Sequence, residues 1–480
     1  MPLAGYSFFT FFSYIYTIVH KLFLPQFVYL MKLYSFITLL LCALSANAQK
    51  IKVPYEQFTL PNGLNVILHQ DKTIPRISVN VWYFVGSGSE KPGRTGFAHL
   101  FEHILFEGSK NVPEGKFDEW LEAAGANNNG STTEDRTNYY EDLPANALDL
   151  ALFLESDRMG FLLASLTDST VDGQRDVVKN ERRQSYENRP YGKAGLDLPA
   201  LLYPKNHPYS WPVIGSMADL SVASRQDVAD FFTQFYLPGN ASLCIAGDID
   251  LVQARKAVEK WFSDVPAGKP VAPIQPVPAV LTEEKRVVVE DKVQLPRMEM
   301  IWLTPANFQP GNADMDLVAA ILGGGKNSRL YKRLVYDLQI AQNVSCYQGS
   351  SKFASDFHIA VTARPGIGLT QVEKIVQEEI ERLKNELPTE RELNRVVSQG
   401  ESRFLSQIER SGGFSGKANQ LNEYFFYTGN PDYFNEDLQR FKAVDVSDIS
   451  AATRKYLRSD ARVVMSIVPE GKKDLAASKN

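Results

Sequence analysis

Apolar and polar positions along this chain follow two periods. Ile77-Ser78-Val79-Asn80-Val81 alternates residue by residue, which predicts a strand with one apolar face, and Ala241 to Ala246 and Ala461 to Val468 are apolar runs of strand length. Helical spacing instead marks Ala147 to Leu163 and Gln371 to Leu383. The two kinds of element interleave, which predicts an α+β fold with sheets backed by helices. The densest proline stretch, Asp264 to Leu281 with prolines at 266, 270, 273, 276 and 278, is unfit for a helix or a central strand and reads as a linker.

The pattern on one side of that linker recurs on the other. Asp71-Lys72, Pro75-Arg76 and Trp82 return as Asp291-Lys292, Pro296-Arg297 and Trp302, and Tyr236-Leu237 before one strand returns as Tyr456-Leu457 before another, all at an offset near 220. Agreement at both ends of each half predicts a duplicated domain: residues 49–265, a linker at 266–281, and residues 282–475, each with a mixed, mostly antiparallel sheet.

The N-terminus reads differently. Met31-Lys32, the apolar run Phe36 to Leu44 and the small residues Ala46-Asn47-Ala48 have the order of an export signal, with the mature chain starting near Gln49. This predicts an exported, periplasmic or secreted protein, membrane-associated only if the N-terminal segment is retained. The earlier apolar stretch Ser7 to Val19 is shorter than the about 20 residues a spanning helix needs, and Pro25 interrupts its extension, so no stable span is expected. Of 480 residues, 44% are hydrophobic and 22% charged, enough to bury a large core. A net charge of -5 without a basic stripe argues against a nucleic-acid partner. Past the export segment only Cys244 and Cys346 remain, both in apolar runs, and they read as buried free thiols.

The candidate chemistry lies in His99-Leu100-Phe101-Glu102-His103. Two histidines four apart on a helix project from one face, so both imidazoles reach one tetrahedral zinc ion, and Glu102 between them is the candidate general base. Pro92-Gly93-Arg94-Thr95-Gly96 precedes the helix as a turn, with Thr95 as expected N-cap, and Phe97, Leu100, Phe101, Ile104, Leu105 and Phe106 make the rest of it apolar. Ionisable groups on a buried helix need a cleft or a cation to offset their desolvation. Past the export segment three further histidines, His69, His207 and His358, are available, but a carboxylate is the better third ligand.

These residues, in the context Lys91-Pro92-Gly93-Arg94-Thr95-Gly96-Phe97-Ala98, resemble the pitrilysin and mitochondrial processing peptidase family, and the resemblance runs the length of the mature chain. It implies half of a clamshell built from the two similar domains, and a zinc peptidase acting on extended or unfolded peptides. It nominates Glu181, 78 residues beyond His103 in Arg175 to Arg183, as third ligand, with Val177 and Val178 placing it inward; Glu187, beside Arg189-Pro190, is the competing carboxylate. Gln174 stands where the family usually has a second-shell Glu. Gly125 to Thr133, then Arg136-Thr137, is similar to the family's edge strand, which makes Asn129, Gly130 and Ser131 candidate substrate-binding residues. The second half holds no zinc motif. The Arg and Tyr that seat the substrate in single-chain relatives fall here on Val335 and Gln342, while Arg329 and Tyr336 have the right separation in the wrong register. The resemblance thus implies a related partner subunit that supplies the pair. A non-catalytic scaffold, as some relatives have become, is the alternative.

Overall fold

The computed structural model describes residues 50–410 and 412–478; the expected export signal and the apolar stretch Ser7 to Val19 lie outside the described residues. In the first half the strands are β1 (Glu56–Thr59), β2 (Asn65–Gln70), β3 (Arg76–Tyr83), β4 (Asn127–Thr132), β5 (Thr137–Pro144) and β6 (Ala241–Gly247). The helices are α1 (Phe97–Ile104), α2 (Lys116–Ala123), α3 (Leu148–Phe161), α4 (Asp168–Arg182), α5 (Lys193–Leu202), α6 (Met217–Val222), α7 (Arg225–Phe235) and α8 (Leu251–Phe262). The second half has β7 (Lys285–Asp291), β8 (Arg297–Thr304), β9 (Ala341–Gly349), β10 (Ser355–Ala363) and β11 (Val463–Pro469). Its helices are α9 (Asn312–Gly323), α10 (Leu369–Asn385), α11 (Glu390–Ile408), α12 (Lys417–Thr428), α13 (Phe434–Lys442) and α14 (Val446–Tyr456). The proline-rich stretch between halves carries no regular element.

The sheet orders are β1-β2-β6-β3-β5-β4 and β7-β11-β8-β10-β9. Setting β1 aside, the two orders correspond strand for strand. The directions correspond as well: β2 runs parallel to β6 as β7 does to β11, and the remaining pairs are antiparallel. The α+β architecture of two similar helix-backed sheets is therefore observed. Each sheet has its own apolar core, Ile77, Val79, Val81 and Tyr83 on β3 against α1, α3, α7 and α8, and Met298, Met300 and Trp302 on β8 against α9, α10 and α14.

The opposite face of each sheet is covered by a helix from the other half. Helix α5 packs on β7, β8 and β11, while α12 packs on β2, β3 and β6, so residues from Val53 onward form one compact unit. Ser78 and Asn80, which alternation alone would turn to solvent, are buried under α12. Asn419 Oδ1 accepts from Trp82 Nε1 (2.8 Å) and Asn138 Nδ2 (2.9 Å), and Asn422 donates to Asn80 Oδ1 (2.9 Å) and accepts from Ser242 Oγ (2.7 Å). These bonds pair Trp82, Asn138, Ser242 and Asn80 Oδ1 across the two halves, while Ser78 Oγ and Asn80 Nδ2 are buried without a partner. Cys244 and Cys346 are unpaired, the first buried in β6 and the second partly buried in β9.

Candidate metal centre

Helix α1 lies with Phe97, Leu100, Phe101 and Ile104 in the core and stacks Phe101 on Tyr236 at 4.8 Å, which leaves His99, Glu102 and His103 on the other side. Its N-terminus departs from the expected Thr95 cap. Gly96, at φ +89°, is the N-cap, a left-handed conformation that costs glycine little, and the first amides are satisfied from outside the helix. Buried Glu90 accepts from Gly96 N–H at 2.9 Å and from Ala98 N–H at 2.8 Å. Burial pushes its carboxyl up to about 8, opposed by those backbone amides. Thr95 instead donates to Asp219.

Among the described residues, His99, His103 and Glu181 form the one cluster of potential metal ligands, with donor atoms within 4.8 Å of one another. Glu181 Oε2 lies 3.6 Å from His99 Nε2 and 3.3 Å from His103 Nε2. In a tetrahedron with ligand bonds of about 2.0–2.1 Å, neighbouring donors stand about 3.3–3.4 Å apart, so these spacings fit a zinc ion with little adjustment. Burial lowers the His99 imidazole to about 4, leaving it neutral with an available lone pair at pH 7. The hydrogen bond between His103 and Glu181 holds the Glu181 carboxyl below its usual range, so an ionised carboxylate stands beside the two imidazoles. Glu181 is on the last turn of α4; Val178 beside it is buried, but Val177, expected to point inward with it, is 45% exposed. Val177 and Val178 flank Glu181 on opposite sides, about 40° and 60° around the helix, and the packed stripe lies on the Val178 side.

Glu102 stands outside the ligand cluster. Its Oε2 accepts from Thr132 Oγ1 at 2.6 Å, and desolvation raises its affinity for a proton. Thr132 ends β4, the edge strand of its sheet, which packs beside α1. Gly130 on the same strand face brings its backbone against the base: a Cβ there would lie 3.0 Å from Glu102 Cγ. In the register of β4 on β5, with Thr133 N–H bonded to Arg136 O, Asn129 and Ser131 turn their main chains toward β5, while Asn128, Gly130 and Thr132 turn theirs outward. Of the three candidate substrate residues, Gly130 thus offers outward backbone groups; Asn129 Oδ1 accepts from the Gly130 N–H (2.8 Å), and the Ser131 hydroxyl donates to Asn138 Oδ1 (2.6 Å).

Gln174 touches neither histidine. Its Nε2 donates to Glu107 Oε1 at 2.6 Å, a pair one helical turn beyond His103. Glu187 is paired with Arg182 in the π-helical turn that follows α4. His69 bonds Pro54 O, His207 accepts from Tyr209 N–H, and His358 pairs with Asp356, so none joins the cluster. Arg329 grips Glu392 with two bonds, at 2.8 and 3.1 Å, and Tyr336 is exposed; Val335 lies in a π-helical turn and Gln342 on β9. Sequence reasoning missed Glu90, Thr132, Arg182 and Asp219. Thr132 carried a signal, since it follows Gly130 at strand period; Arg182 and Asp219 act across 33 and 124 positions, and Glu90, though only six and eight residues from the amides it holds, fits no capping pattern.

A family model described as insulinase, peptidase family M16, matches residues 65–195, and one described as the peptidase M16 inactive domain matches residues 223–399. The zinc protease PqqE of Helicobacter pylori is 27% identical over 91% of this chain and 97% of its own length. The crystal structure of a protease from Helicobacter pylori superposes with a TM-score of 0.82 at 27% identity, covering 87% of this chain and all of that one. The first half of the periplasmic protease PqqL from Escherichia coli shares the fold, with a TM-score of 0.72 at 18% identity over 88% of this chain and 94% of that one. Two family models that follow one another along the chain, together with relatives of the same length and fold, show that the chain belongs to the insulinase, or M16, family of peptidases.

Proposed function

We propose that this chain is a zinc metalloendopeptidase that hydrolyses extended peptides. The observation that carries the reading is the convergence of His99, His103 and Glu181 at zinc spacing, with a separate, partly desolvated carboxylate, Glu102, beside an open sheet edge. His99, His103 and Glu181 would hold one zinc ion per chain. Zinc bound there supplies Lewis-acid activation of water and polarisation of the peptide carbonyl. Glu102 takes the proton from the attacking water and returns it to the leaving nitrogen; burial suits it to hold that proton between the two events. Thr132 keeps one Glu102 oxygen fixed, leaving the other for the water. A substrate adds to β4 as a further strand, through the outward main-chain groups of Asn128, Gly130 and Thr132, and so is recognised by backbone more than by side chain. Gln174, at the position of the family's additional Glu, donates to Glu107 rather than to a proposed ligand.

The Arg329–Glu392 bond and the residues at Val335 and Gln342 support a division of labour in which a related chain supplies the Arg and Tyr that seat the peptide. The likeness to the periplasmic protease PqqL and the segment Met31 to Ala48 support export to the periplasm, and no helix of the described residues is long and apolar enough to cross a membrane. Glu102→Gln tests the chemistry: zinc stays bound and cleavage of unfolded peptides is lost. A Gln variant with wild-type turnover would sink the assignment. Assaying the chain alone and with a related subunit tests the division, and full activity alone would refute it.

A further inference from the structure

The three ligands sit on two helices that the chain joins only through a long excursion, and what sets the distance between those helices is visible at their ends. The backbone before α1 and the segment Ile214 to Ala223 touch without side chains between them: a Cβ on Gly215 would lie 2.4 Å from Gly96 Cα, and both glycines have positive φ. Asp219, in α6, locks this contact. Its Oδ2 accepts from both Thr95 N–H (3.0 Å) and Thr95 Oγ1 (2.6 Å), and Thr95 Oγ1 accepts from Ser216 N–H (3.0 Å). The same segment is tied to α4 at two points on one helix face. Arg182 Nε donates to Gly215 O at 3.1 Å, and Arg175 Nη1, two turns earlier, donates to Ala223 O at 2.8 Å. Arg182 is the chain neighbour of Glu181, and its other end pairs with Glu187, where α4 loosens into a π-helical turn.

We propose that Ile214 to Ala223 is a brace that sets the spacing of α1 and α4, and that Arg182 and Asp219 are positioning residues for the metal centre. The proposal rests on the zinc reading above. Asp219 holds Thr95, just ahead of α1 and four residues before His99, and Arg182 holds the last turn of α4, one residue after Glu181; both ties end on the segment Ile214 to Ala223. Releasing either lets Glu181 move relative to the two imidazoles, and a preformed site tolerates only about 0.2 Å in ligand distance.

The test is zinc affinity of the purified chain, measured by competition with a chromophoric chelator, alongside the absorption spectrum of the cobalt-loaded protein and the melting temperature of the metal-free protein. Arg182→Met and Asp219→Ala each weaken zinc binding about 10- to 100-fold, the range for losing an outer-shell partner, and change the cobalt bands while the metal-free melting temperature holds. Asp219→Asn, which keeps an acceptor for Thr95, restores most of the affinity. The double variant loses less than the product of the single losses, because both open one linkage. Unchanged affinity in both single variants overturns the brace, as does a loss that only tracks a lower melting temperature. If the unaltered chain binds no zinc, the zinc reading itself fails, and the brace with it.

Discussion

Replacing Gly130 with alanine perturbs the proposed base without touching the proposed ligands. Gly130 is not at positive φ, so alanine costs no backbone strain there, and the whole effect comes from the added methyl. That methyl would lie 3.0 Å from Glu102 Cγ and 3.2 Å from the Tyr139 ring. Comfortable carbon contacts are about 3.5–4.0 Å, so something must yield by about 0.5–1 Å. Tyr139 is fully buried, edge-on to Tyr83 and Phe106, and does not give. Glu102 is the softer neighbour, held at its tip by Thr132. A displacement of about 1 Å in a catalytic group costs up to about 100-fold in rate, or about 2.7 kcal/mol of barrier. The expected outcome is a kcat/KM lower by about 10- to 100-fold, with overpacking reducing stability by about 1 kcal/mol and zinc content unchanged. Peptide cleavage kinetics with zinc measured on the same sample decide it. Wild-type kcat/KM in a fully zinc-loaded Gly130→Ala protein would show that Glu102 does not work from this position.

Asn129→Ala removes the acceptor that occupies the Gly130 N–H, so KM for an extended peptide should fall several-fold at unchanged kcat; a raised KM would mean the side chain helps hold the substrate. Arg158 is buried between Glu155 and Glu141 and faces the Tyr139 ring at 4.2 Å, so Arg158→Met, which strands those carboxyls, should cost about 3–5 kcal/mol by urea unfolding, with part recovered when Glu155 and Glu141 are also made Gln. Glu392, despite partial burial, is held at about 2 by Arg329 and the Thr389 cap. A depressed carboxyl stabilises the fold above its unfolded value and loses that contribution as pH falls, so between about pH 4.5 and 2 the wild type should lose roughly 1 kcal/mol more than Glu392→Gln, after allowing for solvent screening; parallel pH profiles would refute this.

Much of the centre is legible in the amino-acid sequence because its information is local. His99 and His103 are one helical turn apart, and the apolar residues around them dictate which side they occupy. Glu181 needed the resemblance to be nominated at all; Val178 one turn back and Arg189-Pro190 beside Glu187 only helped to choose between the two carboxylates. The repeated strand order was foreshadowed by Trp82 and Trp302 and by Tyr236 and Tyr456. Illegible was everything built from distant segments. Thr95 looked like a cap and serves Asp219, 124 positions away, instead; Glu90, which holds the first amides, is near in sequence but outside any capping pattern. Ser78 and Asn80 looked like a wet strand face because alternation reports only which residues are polar, not whether a helix more than 300 positions away will cover them.

That helix exchange also fixes an order of assembly. The first sheet holds the edge strand and the wall behind Glu102, yet its second face waits for Asn419 and Asn422, so bonds such as Asn422 to Asn80 close a loop of 342 residues. Long closures form late. Until α12 arrives, Trp82, Asn80 and Asn138 lack their partners, and a chain still emerging cannot complete the surface that would receive a peptide. On the reading proposed above, competence for cleavage would come only when nearly all of the chain is present, since α12 at residues 417–428 covers the sheet that carries β4.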